Sequence, residues 1–530
     1  AAIAELVPDT IRTQVDDHLA ALDRKQFVHP LSAEGDDETF RFHHILVRDA
    51  AYQSLLKRAR ATLHERFVEW AEPVNKERGR ETEFEEILGY HLEQAVRYRS
   101  ELGPLDEAGR AIAERAALKL GGAGRRAFAR GDLPAASNLL RRASALLGPG
   151  STTRIELLLD LGFVLLETGE FADSLAAIDS ARESAETLGD ERLLRHATVA
   201  RNIHTQIGTE VTGGAAAMIA DTEQQIAWFS ATDDDVGLTM GWRLLASIHG
   251  TAGRYLEAGA AIRGVIEAAR RTGDRRAADR GSINYAVLSL HIDTPIDAAI
   301  GECEALSEGV AGDRMAEGVI GIVRALLLAM TGRFEEAWPL ATESRRMLVD
   351  LGPSVTASST SIELSRIAFL AGDPATADAA LGRDLADLEA IGERYFRSTI
   401  AGLHSRARLA LGDLEGAAAS AELTRSLADP DDNEAQILWR QAEAGVQLER
   451  GNGTEAVRLA GEAVALTSDT LDLVLRADAL VDLATILVRL GRGNEAGPPL
   501  REALELYERR GATVAAETTR RAPEGIAVAT

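Results

Sequence analysis

The chain has 530 residues and a formal net charge of −25, with hydrophobic residues at 45% and aromatics at only 5%. That charge excludes general nucleic-acid binding, whose affinity comes mainly from clustered Lys and Arg set against phosphates. The length exceeds one compact core, and an apolar class dominated by Ala and Leu suits closely packed helices, so the length counts stacked units and not separate domains.

In chain order, residues 9–24 read as a helix with Ile11, Val15, Leu19 and Leu22 on one face, and 26–28 as a short strand. Residues 32–38 read as a polar hairpin tip holding Gly35, 39–42 as the returning strand and 45–70 as a long helix. Helix, strand, tip, strand, helix is the tail of a winged-helix module, assigned to 1–73. A DNA-binding wing carries Lys or Arg toward phosphates, whereas this tip offers Glu34, Asp36, Asp37 and Glu38, so its expected role is structural. Residues 74–120 form an adaptor with a charged start at 75–86 and helical runs at 87–97 and 105–120.

The segment 121–525 is a repeat array. In Arg408-Leu409-Ala410-Leu411-Gly412-Asp413-Leu414-Glu415, an apolar helical run closes, Gly412 supplies the left-handed residue that ends it, and Asp413 caps the helix that resumes. Ser365-Arg366, Phe369, Gly372 and Asp373 repeat the pattern 40 residues earlier. Further corners fall at Gly131, Gly169, 208–213, Gly253, Thr294-Pro295, Gly332, Gly451 and Gly491, and from Gly253 onward the gaps are 41, 38, 40, 40, 39 and 40. A fixed period with two amphipathic helices per unit predicts an all-α, tetratricopeptide-like right-handed superhelical solenoid of about ten helical pairs. The third unit, 203–229, is the poorest match and a candidate break. A last helix at 500–510 ends at Gly511, followed by a capping helix at 512–521 and a frayed tail after Pro523.

Within the first 150 residues the motifs are more specific. Phe40-x-Phe42-x-His44-Ile45-Leu46-Val47-Arg48-Asp49-x-x-Tyr52, Leu55-Leu56, Leu63-His64 and Tyr90-His91-Leu92-Glu93-Gln94-Ala95 resemble the junction in bacterial signalling proteins of the STAND NTPase class. Those proteins place a P-loop NTPase before a winged helix and a tetratricopeptide array after it. The stretch 98–104, with Gly124-Arg125-Arg126-Ala127 and 130–136, is similar to the branch linked to adenylate or guanylate cyclases; other members carry a LuxR-type helix-turn-helix. The resemblance implies a regulator whose NTPase and output modules lie outside this sequence. The chain starts without Met or a basic signal-peptide start, so residue 1 is read as a boundary within a longer protein.

Catalytic chemistry finds no foothold. A P-loop needs a lysine after its glycines, and none of Lys25, Lys57, Lys76 and Lys119 follows one. No histidine pair has the i, i+4 spacing of a helical zinc site, and His44 and His64 are read as fixing helix packing at the wing. No cofactor or metal is expected. The single Cys303 rules out an internal disulfide and suits a reducing cytoplasm, and the apolar run 319–330, broken by Arg324, is too short for a membrane span of ~20 residues.

Binding is the better prospect, because stacked repeats line a concave groove with one helix of each pair. If Ala258, Ala299, Ala337, Ala377, Ala417 and Ala456 open the second helices, Arg366 and Arg406 face the groove at equivalent positions, and Arg243, Asn284 and Gln441 at another. Trp242 then falls where the motif packs its large aromatic. The two arginines either pair with neighbouring carboxylates or clamp an anionic group. The expected function is a non-catalytic sensor array that binds a protein, peptide or small ligand and controls its own upstream NTPase domain. Nucleic acid and membrane are not expected partners, homo-oligomerisation stays open, and the alternative is a constitutive protein-protein interaction scaffold.

Overall fold

The structure is a computed structural model that describes residues 2–31, 39–207, 214–352, 354–468 and 470–521. The chain divides into two compact units. The first comprises Ala1–Phe128, Pro134–Leu161 and Glu183–Gly189, and the second Ala129–Leu133, Gly162–Arg182 and Asp190–Thr530.

Unit 1 begins with short helices Ala2–Leu6, Asp9–Arg12 and Val15–Arg24, so the helix expected over 9–24 is broken at Thr13-Gln14. Val28–Leu31 and Thr39–Phe42 pair antiparallel, in register Val28 with Phe42 and Leu31 with Thr39. The first strand starts at Val28 because Gln26 is left-handed, with φ 58°, and cannot join a ladder. The expected tip, 32–38 with its four carboxylates, lies outside the described residues.

The helix expected over 45–70 is two helices, Ile45–Ser54 and Lys57–Glu77, separated by extended backbone at Leu55 and Leu56. No Gly or Pro marks this break. Arg60 holds it: its guanidinium donates to the carbonyls of Gln53 at 2.7 Å and Leu55 at 3.0 Å, satisfying the end of the first helix. Helix Glu81–Ser100 follows, and helix Glu107–Ala129 runs unbroken through the 120/121 division between adaptor and array.

Ten helix pairs follow one another, from Glu107–Ala129 with Leu133–Ala145 and Thr152–Thr168 with Phe171–Leu188 onward. Eight pairs within unit 2 run from Glu191–Ile207 with Ala215–Ala231 to Leu473–Arg489 with Gly493–Arg510, and Thr513–Arg521 succeeds the last. The all-α solenoid of tetratricopeptide-type pairs read from the period is the observed architecture. Eight of the ten corners, at Gly131, Gly169, Gly253, Gly332, Gly372, Gly412, Gly451 and Gly491, are left-handed with φ between 71° and 86°, a region where a Cβ is strained. The corner at 208–213 lies outside the described residues. A second glycine series, Gly189, Gly273, Gly312, Gly352, Gly392 and Gly511, ends the second helices, so breaks recur about every 20 residues along the sequence, at half the repeat period.

Aspartates then restart the helices. Asp413 accepts from the Gly416 amide at 2.9 Å, and Asp234, Asp274, Asp313, Asp373, Asp432 and Asp472 do the same for their helices. The six corner alanines are at most 2% exposed, and Trp242 packs so closely on Gly264 that a Cβ there would lie 2.7 Å from its ring. The register read from the alanines therefore holds. Helix Arg314–Met330, which contains the apolar run, is a core helix, and among the described residues no helix is long and apolar enough to cross a membrane.

Unit 2 does not leave its concave face open along its length. Residues about five pairs apart in sequence meet: the Gly214 and Ala215 amides donate to Asp431, His291 pairs with Asp472 at 2.8 Å across 181 positions, and Arg510 donates to the Ser289 carbonyl at 2.6 Å across 221. Arg509 pairs with Asp293 beside them. The apolar core follows the same geometry, with Ile296, Ala299 and Leu326 in one cluster with Leu480, Ala503 and Tyr507. Each such Leu or Ile adds ~1.5–3 kcal/mol on burial, so the closure is built into the core and not only into surface ion pairs.

Candidate functional site

The inner face of unit 2 holds two half-open cavities of about 370 Å³ each. The first is lined by Arg366, Arg406 and Gln441, which the repeat register had aimed inward, together with Asp472, Asp478 and Tyr507. Apolar side chains including Leu326, Phe369, Leu438 and Val481 form most of the remaining wall, and residues 514–519 reach it from the last helix.

The structure brings both arginines to carboxylates. Arg366 pairs with Glu434 from two pairs further on, and Arg406 lies 3.6 Å from Asp482, which also accepts from Gln441 Nε2 at 2.8 Å. Burial works against the Arg366 charge, but Glu434, Glu363 and Asp472 outweigh it and hold its pKa above the ordinary value. Asp482 raises Arg406 in the same way. Burial in turn pushes Asp482 upward and Asp478 up to about 6, even though Arg406 opposes both shifts and the Tyr507 hydroxyl bonds Asp478. Between the two readings of the arginines, pairing with carboxylates is what the geometry contains.

The second cavity holds the other two candidates. Arg243 and Asn284 line it with Ser247, Arg280, Glu363 and Glu434. Asn284 and Arg243 are both exposed to solvent. Arg243 lies 5.4 Å above the Phe163 ring and, among the described residues, makes no salt bridge. The protein wall around it and the charge of Arg280 lower its pKa to about 10, with Glu167 opposing. Nearby Arg276 is drawn to about 9 by burial and by Arg280. Arg280 itself sits 3.8 Å from Glu167. In the same lining, burial pushes Glu363 up to about 7 despite Arg366 beside it. The lining therefore carries both arginines, Arg243 and Arg280, and carboxylates, Glu363 and Glu434.

Arg366, Arg406 and Gln441 thus share one cavity and Arg243 and Asn284 the other; the five do not form one site. Sequence reasoning missed Arg280, Glu363, Glu434, Asp478, Asp482 and Tyr507. A signal existed for Asp478 and Asp482, four residues apart on one face of a first helix. Nothing local pointed to Glu434 as the partner of Arg366, because that pairing depends on how tightly the pairs coil.

Unit 1 has a polar centre of another kind. The Tyr52 hydroxyl lies 2.8 Å from His64 Nε2 and 3.1 Å from the Tyr98 hydroxyl, and His64 Nδ1 lies 2.7 Å from His91 Nδ1. Arg60 stacks 5.0 Å from the Tyr52 ring. Burial, reinforced by His91, lowers His64 to about 4, so both rings of the pair are held toward neutrality. His44 caps its helix by accepting from the Leu46 amide at 3.1 Å. Among the described residues no group of three or more His, Cys, Asp or Glu is placed to hold a metal ion.

Comparison with known proteins agrees with this architecture at its C-terminal end. Residues 476–510 match the tetratricopeptide repeat family, and that span is the tenth helix pair. No curated protein matches the chain. Solved structures similar to it include the Cut9-Hcn1 hetero-tetramer of APC/C, at 13% identity and TM-score 0.48 over 89% of this chain and 91% of that one. Yeast Tom70 matches at 12% identity and TM-score 0.30, over 82% of this chain and 95% of that one. A signal transduction ATPase with numerous domains that carries a tetratricopeptide repeat sensor, from Pyrococcus horikoshii, matches at 12% identity and TM-score 0.31, over 98% of this chain and 64% of that one.

Proposed function

We propose that the chain is the non-catalytic sensing array of a cytoplasmic multidomain signalling NTPase, of the cyclase-linked or LuxR-type kind, and that it binds a small ligand inside unit 2. The observation that carries this reading is a pair of separate, half-open cavities, each of a size that suits a small organic molecule and each lined by charged groups from several first helices. A plain scaffold holding an extended protein partner would instead present one continuous groove. The route outward is the helix-and-hairpin module, where the residues that carry the STAND resemblance, Tyr52, His64 and His91, join with Tyr98 in one hydrogen-bonded network. Ligand occupancy biases the NTPase through that junction.

The test is native mass spectrometry of the chain purified without denaturant. A bound molecule of discrete mass is expected, and it should be lost when one cavity is filled by Ser247→Trp or by Val481→Trp while the helical content is kept. A wild-type chain that carries no adduct and gains no thermal stability from a metabolite library overturns the sensor reading.

A further inference from the structure

We propose that the second cavity is a receptor for an organic anion with one oxyanion end, carboxylate or phosphate, held by Arg243 and Arg280 with Asn284 beside them, and with an apolar body. The proposal rests on the sensing role above and names the chemistry of its ligand.

Arg243 and Arg280 both line this cavity, and the charge of Arg280 acts on Arg243; Glu167 lies 3.8 Å from Arg280 and opposes the shift of Arg243. Two like charges on one cavity wall favour an anion that adds to the single carboxylate already beside Arg280. A purely structural role is a poor account of Arg243, because its side chain faces the cavity with solvent contact and no salt bridge among the described residues, unlike Arg366 and Arg406 in the neighbouring cavity. A planar guanidinium beside a second one suits the fork geometry of a carboxylate or phosphate head.

The rest of the wall defines the body. Ile283, Val287, Val319 and Ile322 line the same space, which takes an aliphatic or aromatic group. Glu363 and Glu434 line the same space and offer a second anionic group no counter-charge. The site therefore selects a molecule that is anionic at one end only.

Titration calorimetry on the full chain tests this with four probes. Phenylbutyrate and phenyl phosphate carry one oxyanion on an apolar body and separate the carboxylate from the phosphate source. Terephthalate is anionic at both ends, and benzyl alcohol supplies the body alone. Binding of at least one of the first two is expected, at least tenfold tighter than terephthalate or benzyl alcohol. Arg243→Ala should weaken it at least tenfold, the scale of one charge-assisted hydrogen bond, with an unchanged melting temperature, and Arg243→Lys should recover part of it. Arg406→Ala, in the other cavity, should leave probe binding intact.

Absence of binding by both mono-anionic probes, or binding indifferent to Arg243→Ala, overturns the proposal. If a natural adduct persists in Arg243→Ala while these probes fail, the sensor reading stands and only the anion assignment falls. If the probes bind as expected but no natural ligand is ever found, the sensor reading falls and the anion site remains.

Discussion

The histidine and tyrosine junction of unit 1 joins residues 12 to 46 positions apart and keeps its histidines toward neutrality, whereas the interior of unit 2 joins residues 181 to 221 positions apart through arginine, histidine and carboxylate. Both enclose polar groups between packed helices. The difference lies in what happens when one partner is removed. A neutral hydrogen bond leaves a modest desolvation penalty behind, while a buried ion pair leaves an uncompensated charge. It also lies in reach: pairs close in sequence form with each added repeat, while the long-range pairs need about five repeats in place before they exist. Unit 2 should therefore lose stability in larger steps than unit 1, which hydrogen exchange read separately for each unit can measure.

The largest expected effect is at Arg345. Its guanidinium holds Asp384, which is fully buried, at 2.6 and 2.7 Å, and also donates to the Ala357 carbonyl at 3.0 Å. Arg345→Ala should destabilise unit 2 by ~3–5 kcal/mol and leave exchange in unit 1 unchanged. Equal losses in both units would break the comparison. Next comes Arg366→Ala combined with Arg406→Ala, which leaves Glu434 and Asp482 without their arginine partners, although Asp482 keeps its bond from Gln441. Because all four side chains are partly solvated, the loss should be smaller, roughly 2–4 kcal/mol, and visible as a lower melting temperature in urea or heat. A double variant that melts like the wild type would return both arginines to ligand binding.

The two units should also respond to pH with opposite sign. His64 has a folded pKa of about 4, below its ordinary 6.5, so the folded state binds fewer protons; stability present above pH 6.5 is lost as pH falls toward 4. Glu363 and Asp478 are raised to about 7 and 6, so their folded forms hold protons longer, and their contribution declines as pH rises from the ordinary carboxylate range through 6 and 7. Between pH 4 and 6.5, exchange corrected for its intrinsic rate should show unit 1 gaining about 1–2 kcal/mol while the cavity walls of unit 2 lose stability. His64→Phe should abolish the first trend and leave the second. The smallest effect is Tyr52→Phe, which removes hydrogen bonds to His64 and Tyr98 and should weaken unit 1 by about 0.5–1.5 kcal/mol in chemical denaturation.

Where the sequence succeeded, the cause was local. Gly412 with Asp413 stops and restarts a helix whatever lies around it, and the same device at Gly372 and Gly451 fixed the period. The small corner alanines set the register, and Arg366, Arg406, Arg243, Asn284 and Gln441 all line one or other of the two cavities. Where it failed, the cause was distant. The break at Leu55-Leu56 carries no local breaker and is stabilised by the guanidinium of Arg60, and the first strand is shifted by the left-handed Gln26.

By itself, then, the sequence determined the helix pairs, their number and the face each one turns inward, because periodicity and capping act within a few residues. Only the tertiary structure decided that Glu434 meets Arg366, that Asp472 meets His291, that Arg510 crosses to Ser289 and that the groove becomes two cavities. Those contacts depend on the small rotation from each pair to the next, accumulated over about five pairs. No short stretch of sequence encodes that sum; it follows from the packing of every interface along the way.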